Sequence, residues 1–299
     1  MTAISTKQRE IIKGYLEGFI QGIVDEYKGR IIHKSTTGIE YLSRSSTNGE
    51  LKPFQAALIP IELIRINQFE RGLSTRLGNS LEECAKLIAL EHHQDARRGY
   101  DIRAEVSIAA FEEAQRQKEY YESMDKKGQT KPSFEQMITA VLNAKRSDDL
   151  VTKTVRADLC IFAHDGTEYL FEIKAPKPNK GQCLEVIQRL LRFHLLRGAK
   201  RPQLQAYYAM PYNPYGVTKA VYKWSQARNY LPFDEAVVIG YEFWNIVGGA
   251  TAYEELLEIY LEVGRIWAAL SKTDSVNDTH LRSLKNSRIS FACSSVNAG

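Results

Sequence analysis

The sequence predicts an α/β fold, a mixed central sheet flanked by helices, on two observations. Four short runs rich in β-branched and aromatic residues, over 154–163, 168–174, Gln203 to Met210 and 236–240, are interleaved with segments of helical periodicity. Their order is strand, strand, helix, strand, strand, with helices before and after, which suits layers of helix on a sheet. The first two strands are joined only by a turn at His164-Asp165-Gly166, so they run antiparallel. The chain has 299 residues, 43% hydrophobic and 25% charged, ordinary values for a globular protein with a sizeable core. The expected organisation is one domain over 1–270, with a functional core at about 70–245. A polar, aperiodic tail over 271–299 is read as loosely ordered.

The elements follow in order. Residues 7–28 form an amphipathic helix, with Ile11, Ile12, Tyr15, Leu16, Phe19, Ile20, Ile23, Val24 and Tyr27 at three-and-four spacing, for core packing or a dimer seam. Ile31-Ile-His is a short strand-like run, and a second helical region begins between Phe54 and Phe69. Gly78-Asn79-Ser80 reads as the N-cap of a helix with Leu81, Cys84, Ala85 and Ile88 buried, and Glu82 and Glu83 favour its positive end. Residues 104–125 read as a charged helix, 126–132 as a loop, and 133–145 as a helix capped by Ser133. Pro176 and Pro178 end the second core strand, and a helix follows from about Gln182 to Leu196. Another is expected from Thr218 to Ala227. The last, from Thr251 to about Leu270, turns Leu256, Leu257, Tyr260, Leu261, Ile266 and Trp267 inward.

Chemistry concentrates in the first strand pair. Val155-Arg-Ala-Asp-Leu-Cys-Ile-Phe carries Asp158 in an otherwise apolar run. Glu168-Tyr-Leu-Phe-Glu-Ile-Lys-Ala-Pro carries Glu172 and Lys174 two residues apart, so both leave one face of the strand. The turn brings all three to one spot, and burying charge is costly unless it is paired or holds a metal. Two carboxylates offer hard oxygen ligands suited to Mg²⁺, and the Ile173 carbonyl can complete the shell. A lysine beside them can neutralise phosphate charge and orient an attacking water. A bare Glu-x-Lys pair is more often the solvent face of an edge strand; the apolar neighbours here argue that both strands are central.

The Asp-x13-Glu-x-Lys pattern resembles the core of the PD-(D/E)XK nucleases. With it stand Phe69-Glu-Arg-Gly-Leu-Ser-Thr-Arg-Leu-Gly, Lys177-Pro-Asn-Lys-Gly, Tyr208-Ala-Met-Pro-Tyr-Asn-Pro-Tyr-Gly and Phe243-Trp-Asn-Ile-Val-Gly-Gly. Together, over about residues 60–265, they resemble the TdeIII/MjaII group of Type II restriction endonucleases. The resemblance implies a Mg²⁺-dependent enzyme cleaving double-stranded DNA at a short palindrome of the GGNCC type. It departs from the family motif at one place, where Arg156-Ala157 replaces the Pro before Asp158. In many nucleases of this fold a helix Glu supplements the metal site, and Glu82 is the candidate; complementing the helix dipole is its plainer reading. A palindrome calls for a two-fold homodimer, and a restriction enzyme for a cognate DNA methyltransferase as functional partner. A repair or junction-cleaving nuclease, or an inactive DNA-binding protein of the same fold, is the alternative.

A net charge of +4 permits nucleic-acid binding without demanding it. Lys174 to Arg201 holds eight Lys or Arg and one acid, Glu185. Lys177 and Lys180 are the candidate phosphate contacts there; Arg189, Arg192 and Arg197 stay open between that role and a solvated helix face. The Pro-braced loop of Tyr212, Asn213 and Tyr215 is open between groove entry and a plain turn. Cys84, Cys160 and Cys183 read as reduced core residues, and the adjacent His92-His93 is a poor shared metal site. No run approaches a membrane span and no signal peptide opens the sequence, so a cytoplasmic protein is expected.

Overall fold

A computed structural model describes residues 2–31, 58, 61–124, 130–198 and 203–266. Helices α1 (Thr6–Ile31) and α2 (Ile61–His92) lead into β1 (Asp95–Ser107), α3 (Ile108–Ser123) and α4 (Phe134–Asn143). The antiparallel pair β2 (Leu150–Phe162) and β3 (Glu168–Ile173) follows, then α5 (Lys180–Arg197) and β4 (Leu204–Met210). A 3₁₀ turn (Lys219–Val221), α6 (Ser225–Tyr230), α7 (Phe233–Ala236), β5 (Val237–Ile239), α8 (Tyr241–Gly248) and a helix, α9, over 252–266 complete the described residues. The expected α/β class is borne out: the five strands lie in sequence order, antiparallel across β1-β2-β3 and parallel across β3-β4-β5. Among the described residues no helix is long and apolar enough to cross a membrane.

Alternation along the strands splits the core in two. Leu159, Ile161 and Phe171 face a layer built from Ile12 and Leu16 of α1, Cys84 and Ile88 of α2, Phe243 and Trp244 of α8, and Leu256, Ile259 and Val263 of α9. Cys160, Leu170 and Tyr208 face the other layer, with Ala110 of α3, Met137 of α4, and Ile187, Leu190 and Phe193 of α5. The capping boxes of Ser133 with Gln136 and of Asn179 with Gln182 start α4 and α5. Cys84, Cys160 and Cys183 are free and buried.

Five expectations need correction. Strand β1 was not foreseen, and residues 104–107 belong to it rather than to a helix. Its exposed face carries Asp101, Arg103 and Glu105, a charge pattern that reads as a solvated helix, while Ile102 and Val106 turn inward at period two. Ser80 caps nothing, for α2 runs through it without a break. Its buried hydroxyl donates back to the Leu77 carbonyl at 2.9 Å and lies 3.0 Å from the Tyr260 hydroxyl, so packing against α9 carries the helix across Gly78 and Asn79. The helix expected over Thr218–Ala227 is broken. Tyr222 Oη donates to the Pro176 carbonyl at 2.6 Å and Trp224 Nε1 to the Pro178 carbonyl at 2.7 Å, which pulls the chain down onto the loop after β3. In α9 the buried stripe is Ala252, Leu256, Ile259 and Val263; Leu257, Leu261 and Ile266 are exposed, one step around the helix. In α1, Ile11 is exposed too, beside the buried Ile12, Leu16 and Ile23. Residues 32–57, Trp267 and the tail lie outside the described residues.

The basic segment also resolves. Arg197 Nε lies 2.8 Å from Glu168 Oε1, and Glu168 is only 2% exposed, so this pair is an internal brace of β3 on α5. Breaking a buried pair by removing one partner costs about 3 kcal/mol. Arg197→Ala is therefore expected to lower the urea midpoint by that equivalent at unchanged m-value, and a shift worth under about 1 kcal/mol would show the pair is not a brace.

Candidate active site

Strand register builds the site. Leu159 pairs Phe171 across β2 and β3, so the next rung sets Asp158 opposite Glu172, where the ladder ends. Lys174 follows β3, fixed by its backbone N–H to the Ala209 carbonyl at 3.0 Å. Lys174 Nζ lies 2.6 Å from Glu172 Oε1 and 3.3 Å from Asp158 Oδ2. The three residues singled out in the sequence thus meet at one point. Asp158 Oδ2 also accepts from the Ile173 backbone N–H at 2.8 Å. In a strand the N–H and C=O of one residue leave the same edge, so the Ile173 carbonyl belongs to the Asp158 side.

Depth differs across the trio. The Glu172 side chain is 1% exposed, whereas Lys174 is 37% and Asp158 23% exposed, so the site opens to solvent over Lys174 and Asp158. Burial, then the charge of Asp158, raises the Glu172 carboxyl above its usual range, against the pull of Lys174 and Arg189. Burial lowers the Lys174 ammonium, but Glu172 and Asp158 outweigh it and leave it raised. Arg189 of α5 reaches in with Nη1 at 3.0 and 2.9 Å from the two Glu172 oxygens, and binds Glu185 with its other nitrogen. The i, i+4 spacing of Glu185 and Arg189 suggests only a surface pair; the reach to Glu172 needs the fold.

Helix α2 brings Glu82 to the edge of the site. Arg98 of β1 forks onto Glu82 (Nη2 to Oε2, 2.8 Å) and Glu83 (Nη1 to Oε2, 2.9 Å). Burial raises the Glu82 carboxyl, Arg98 opposes this, and the charges of Asp158 and Lys174 are both felt there. Because α2 begins at Ile61, Glu82 is nowhere near a helix N-terminus, and the dipole explanation falls away. Arg98 itself left no signal in the sequence.

Among the described residues no cluster of three or more His, Cys, Asp and Glu is placed to hold a metal ion. The donor set fits a hard cation nonetheless: a single cationic atom, Lys174 Nζ, sits within hydrogen-bond range of both carboxylates, so they converge on one point. Mg²⁺ needs only one or two carboxylates and keeps its waters.

Lys177 is exposed beside Tyr215 (5.5 Å from its ring centre) and Trp224 (5.7 Å), and Lys180 pairs with Glu122 at 2.8 Å and lies over Tyr230. Arg192 stacks 4.0 Å over Phe111, and burial lowers its pKa. The Tyr212–Tyr215 loop is a turn pinned by buried Asn213, whose amide donates to the Thr218 carbonyl and accepts from the Tyr215 N–H. His92 and His93 each bind a different backbone carbonyl, Ala3 and Ile246.

Converging carboxylates and a lysine at the open end of a mixed sheet can hold a hard cation and meet a phosphate, and similarity to known proteins gives the class of the chain. Residues 5–264 match the family model described as Type II restriction endonuclease, HinfI. Three restriction enzymes of Herpetosiphon aurantiacus are similar: HgiEI and HgiBI, each 46% identical over 88% of this chain and 95% of their own, and HgiCII, 42% identical over 92% and 98%. The chain belongs to the HinfI family of Type II restriction endonucleases, and is thus a site-specific deoxyribonuclease by class. The restriction-endonuclease resemblance read from the motifs holds, and the family whose model matches is HinfI.

Proposed function

We propose that this enzyme hydrolyses phosphodiester bonds of double-stranded DNA with Mg²⁺ at a PD-(D/E)XK-type centre made of Asp158, Glu172 and Lys174. The observation that carries the reading is the meeting of Asp158 and buried Glu172 at Lys174 Nζ. Asp158, Glu172 and the Ile173 carbonyl would hold the metal, which supplies Lewis acidity and a water of lowered pKa. Lys174, the most exposed of the three, faces the scissile phosphate, offsets its growing charge and orients the attacking water. Arg189 holds Glu172 in place from behind, and Glu82, steered by Arg98, adds negative charge at the rim.

The motif resemblance favours a short palindromic target of the GGNCC type, and a homodimer then serves the two equivalent scissile phosphates. A cognate DNA methyltransferase is the functional partner. Lys177 and Lys180 lie just beyond the site, and we assign them to backbone contacts. Replacing either by alanine should weaken binding to specific and unrelated DNA alike and reduce the salt slope by about one. An unchanged slope removes that residue from the assignment. Plasmid incubated with Mg²⁺ or with EDTA tests the whole reading. Discrete fragments only with Mg²⁺, mapped by run-off sequencing of the ends, support it. Structure-dependent nicking, or shifted but uncut DNA, overturns it.

A further inference from the structure

Strand β3 pairs with β2 only from Leu159 to Phe162, whereas β1 pairs with β2 along its whole length. Beyond the site, therefore, Tyr100–Ser107 and Leu150–Ala157 run as a two-stranded ribbon, with no third strand beside it among the described residues. Eight residues per strand make it about 25 Å long. One face is spoken for: Ile102 and Val106 are buried in the core beneath α5, with Tyr100, Ala104 and Val155 packed against it. The other is open. Asp101, Arg103 and Glu105 stand opposite Arg156, Thr154 and Thr152, all six exposed. Arg156 lies two residues before Asp158, so this face leads straight into the site. Gly99, at φ +57°, sits where the ladder passes Asp158, and an added Cβ there would lie 2.2 Å from the Arg156 guanidinium. The positive φ favours glycine there, and the Arg156 guanidinium lies over the space that a side chain would take.

We propose that this ribbon face reads base edges in the major groove of the DNA target, with Arg103 and Arg156 as the guanine contacts. The inference rests on the nuclease reading above and adds the specificity surface to it. A two-stranded ribbon fits the major groove, where arginine pairs with guanine, threonine meets either bases or thymine methyls, and an acid accepts from cytosine. The mixed charge decides between bases and backbone. A phosphate-binding face gains from being wholly basic, whereas Asp101 and Glu105 would be repelled there. The arginines are available. Arg103 has no ion-pair partner among the described residues, and Arg156 faces Asp101 only at 3.8 Å with both side chains more than half exposed. By contrast Arg189, Arg192 and Arg197 are engaged by Glu172, Phe111 and Glu168.

The test uses the full chain and duplexes carrying the site found by run-off sequencing, set against duplexes with one base pair changed. Arg103→Ala and Arg156→Ala should each lower the cognate-to-variant cleavage ratio about ten- to hundredfold at one base pair. Arg103→Lys should not restore it, because lysine keeps the charge and loses the fork. Replacing the contacted guanine by 7-deazaguanine should lower wild-type cleavage and add little in Arg103→Ala. Melting temperature should stay near wild type in all variants, as for any exposed substitution, and Arg116→Ala on the outer face of α3 serves as control. Unchanged ratios with active wild type overturn the ribbon assignment alone. So does uniform weakening on all DNA with rescue by lysine, which marks a phosphate contact. A wild type that cuts no duplex overturns the nuclease reading first.

Discussion

Asp158→Ala is expected to reduce Mg²⁺-dependent cleavage by at least a thousandfold while the protein stays folded. The rate follows from the several kcal/mol of transition-state stabilisation that a bound metal supplies, each 1.36 kcal/mol being tenfold. Stability is a balance of two small effects. The Ile173 N–H loses its acceptor, at a cost of about 1 kcal/mol. Against this, the Asp158 charge that helps raise the Glu172 and Glu82 carboxyls is removed, so repulsion on both falls. The melting temperature without metal should therefore lie within a few degrees of wild type, and the stabilisation that Mg²⁺ gives the wild type should vanish. Glu172→Gln should match it in activity; Glu172→Ala is the harsher change, since it strands Arg189 and Lys174 beside a buried gap. Cleavage above a few per cent of wild type in Asp158→Ala would remove this residue from the site.

The trio was legible in the sequence because nothing beyond local geometry is needed to assemble it. Strand alternation puts Glu172 and Lys174 together, and a tight turn at Gly166 returns the chain past Asp158. Four of the five strands were legible for the same reason: they are apolar and bounded by turn residues. Strand β1 was not, because an edge strand with one solvated face offers charge where the eye expects apolar alternation. The continuity of α2 past Gly78-Asn79-Ser80 was hidden as well. A cap signal is local, and what overrides it, the Ser80–Tyr260 contact, joins residues far apart in the chain. Arg98 and Arg189 show the same limit. Each is an ordinary surface arginine in sequence, and each becomes part of the site only because the fold carries β1 past Glu82 of α2 and α5 past Glu172 of β3. The ribbon is the functional consequence of the missed strand: without β1, residues 150–157 have no partner and no face to present.

Lys174→Ala should separate catalysis from binding. Its ammonium lies on Glu172 and Asp158 and is the trio's most exposed group, so its main action is on charge that grows in the transition state. Loss of one such donor costs about 10²–10³ in rate. The dissociation constant for cognate duplex should change little, since Lys177, Lys180 and the ribbon lie elsewhere on the surface. A second readout distinguishes this role from a merely structural one. Without Lys174, Asp158 and Glu172 face each other with Arg189 as the cation that remains on Glu172. The metal-free variant should melt below wild type, and Mg²⁺ should raise its melting temperature by more than it raises that of wild type, because the ion then relieves a repulsion the lysine had been relieving. If instead cognate binding collapses while saturating enzyme cuts at the normal rate, Lys174 is a phosphate anchor. If Mg²⁺ stabilises variant and wild type equally, the lysine and the metal do not share the carboxylates, and the centre is not built around the point where the three side chains meet.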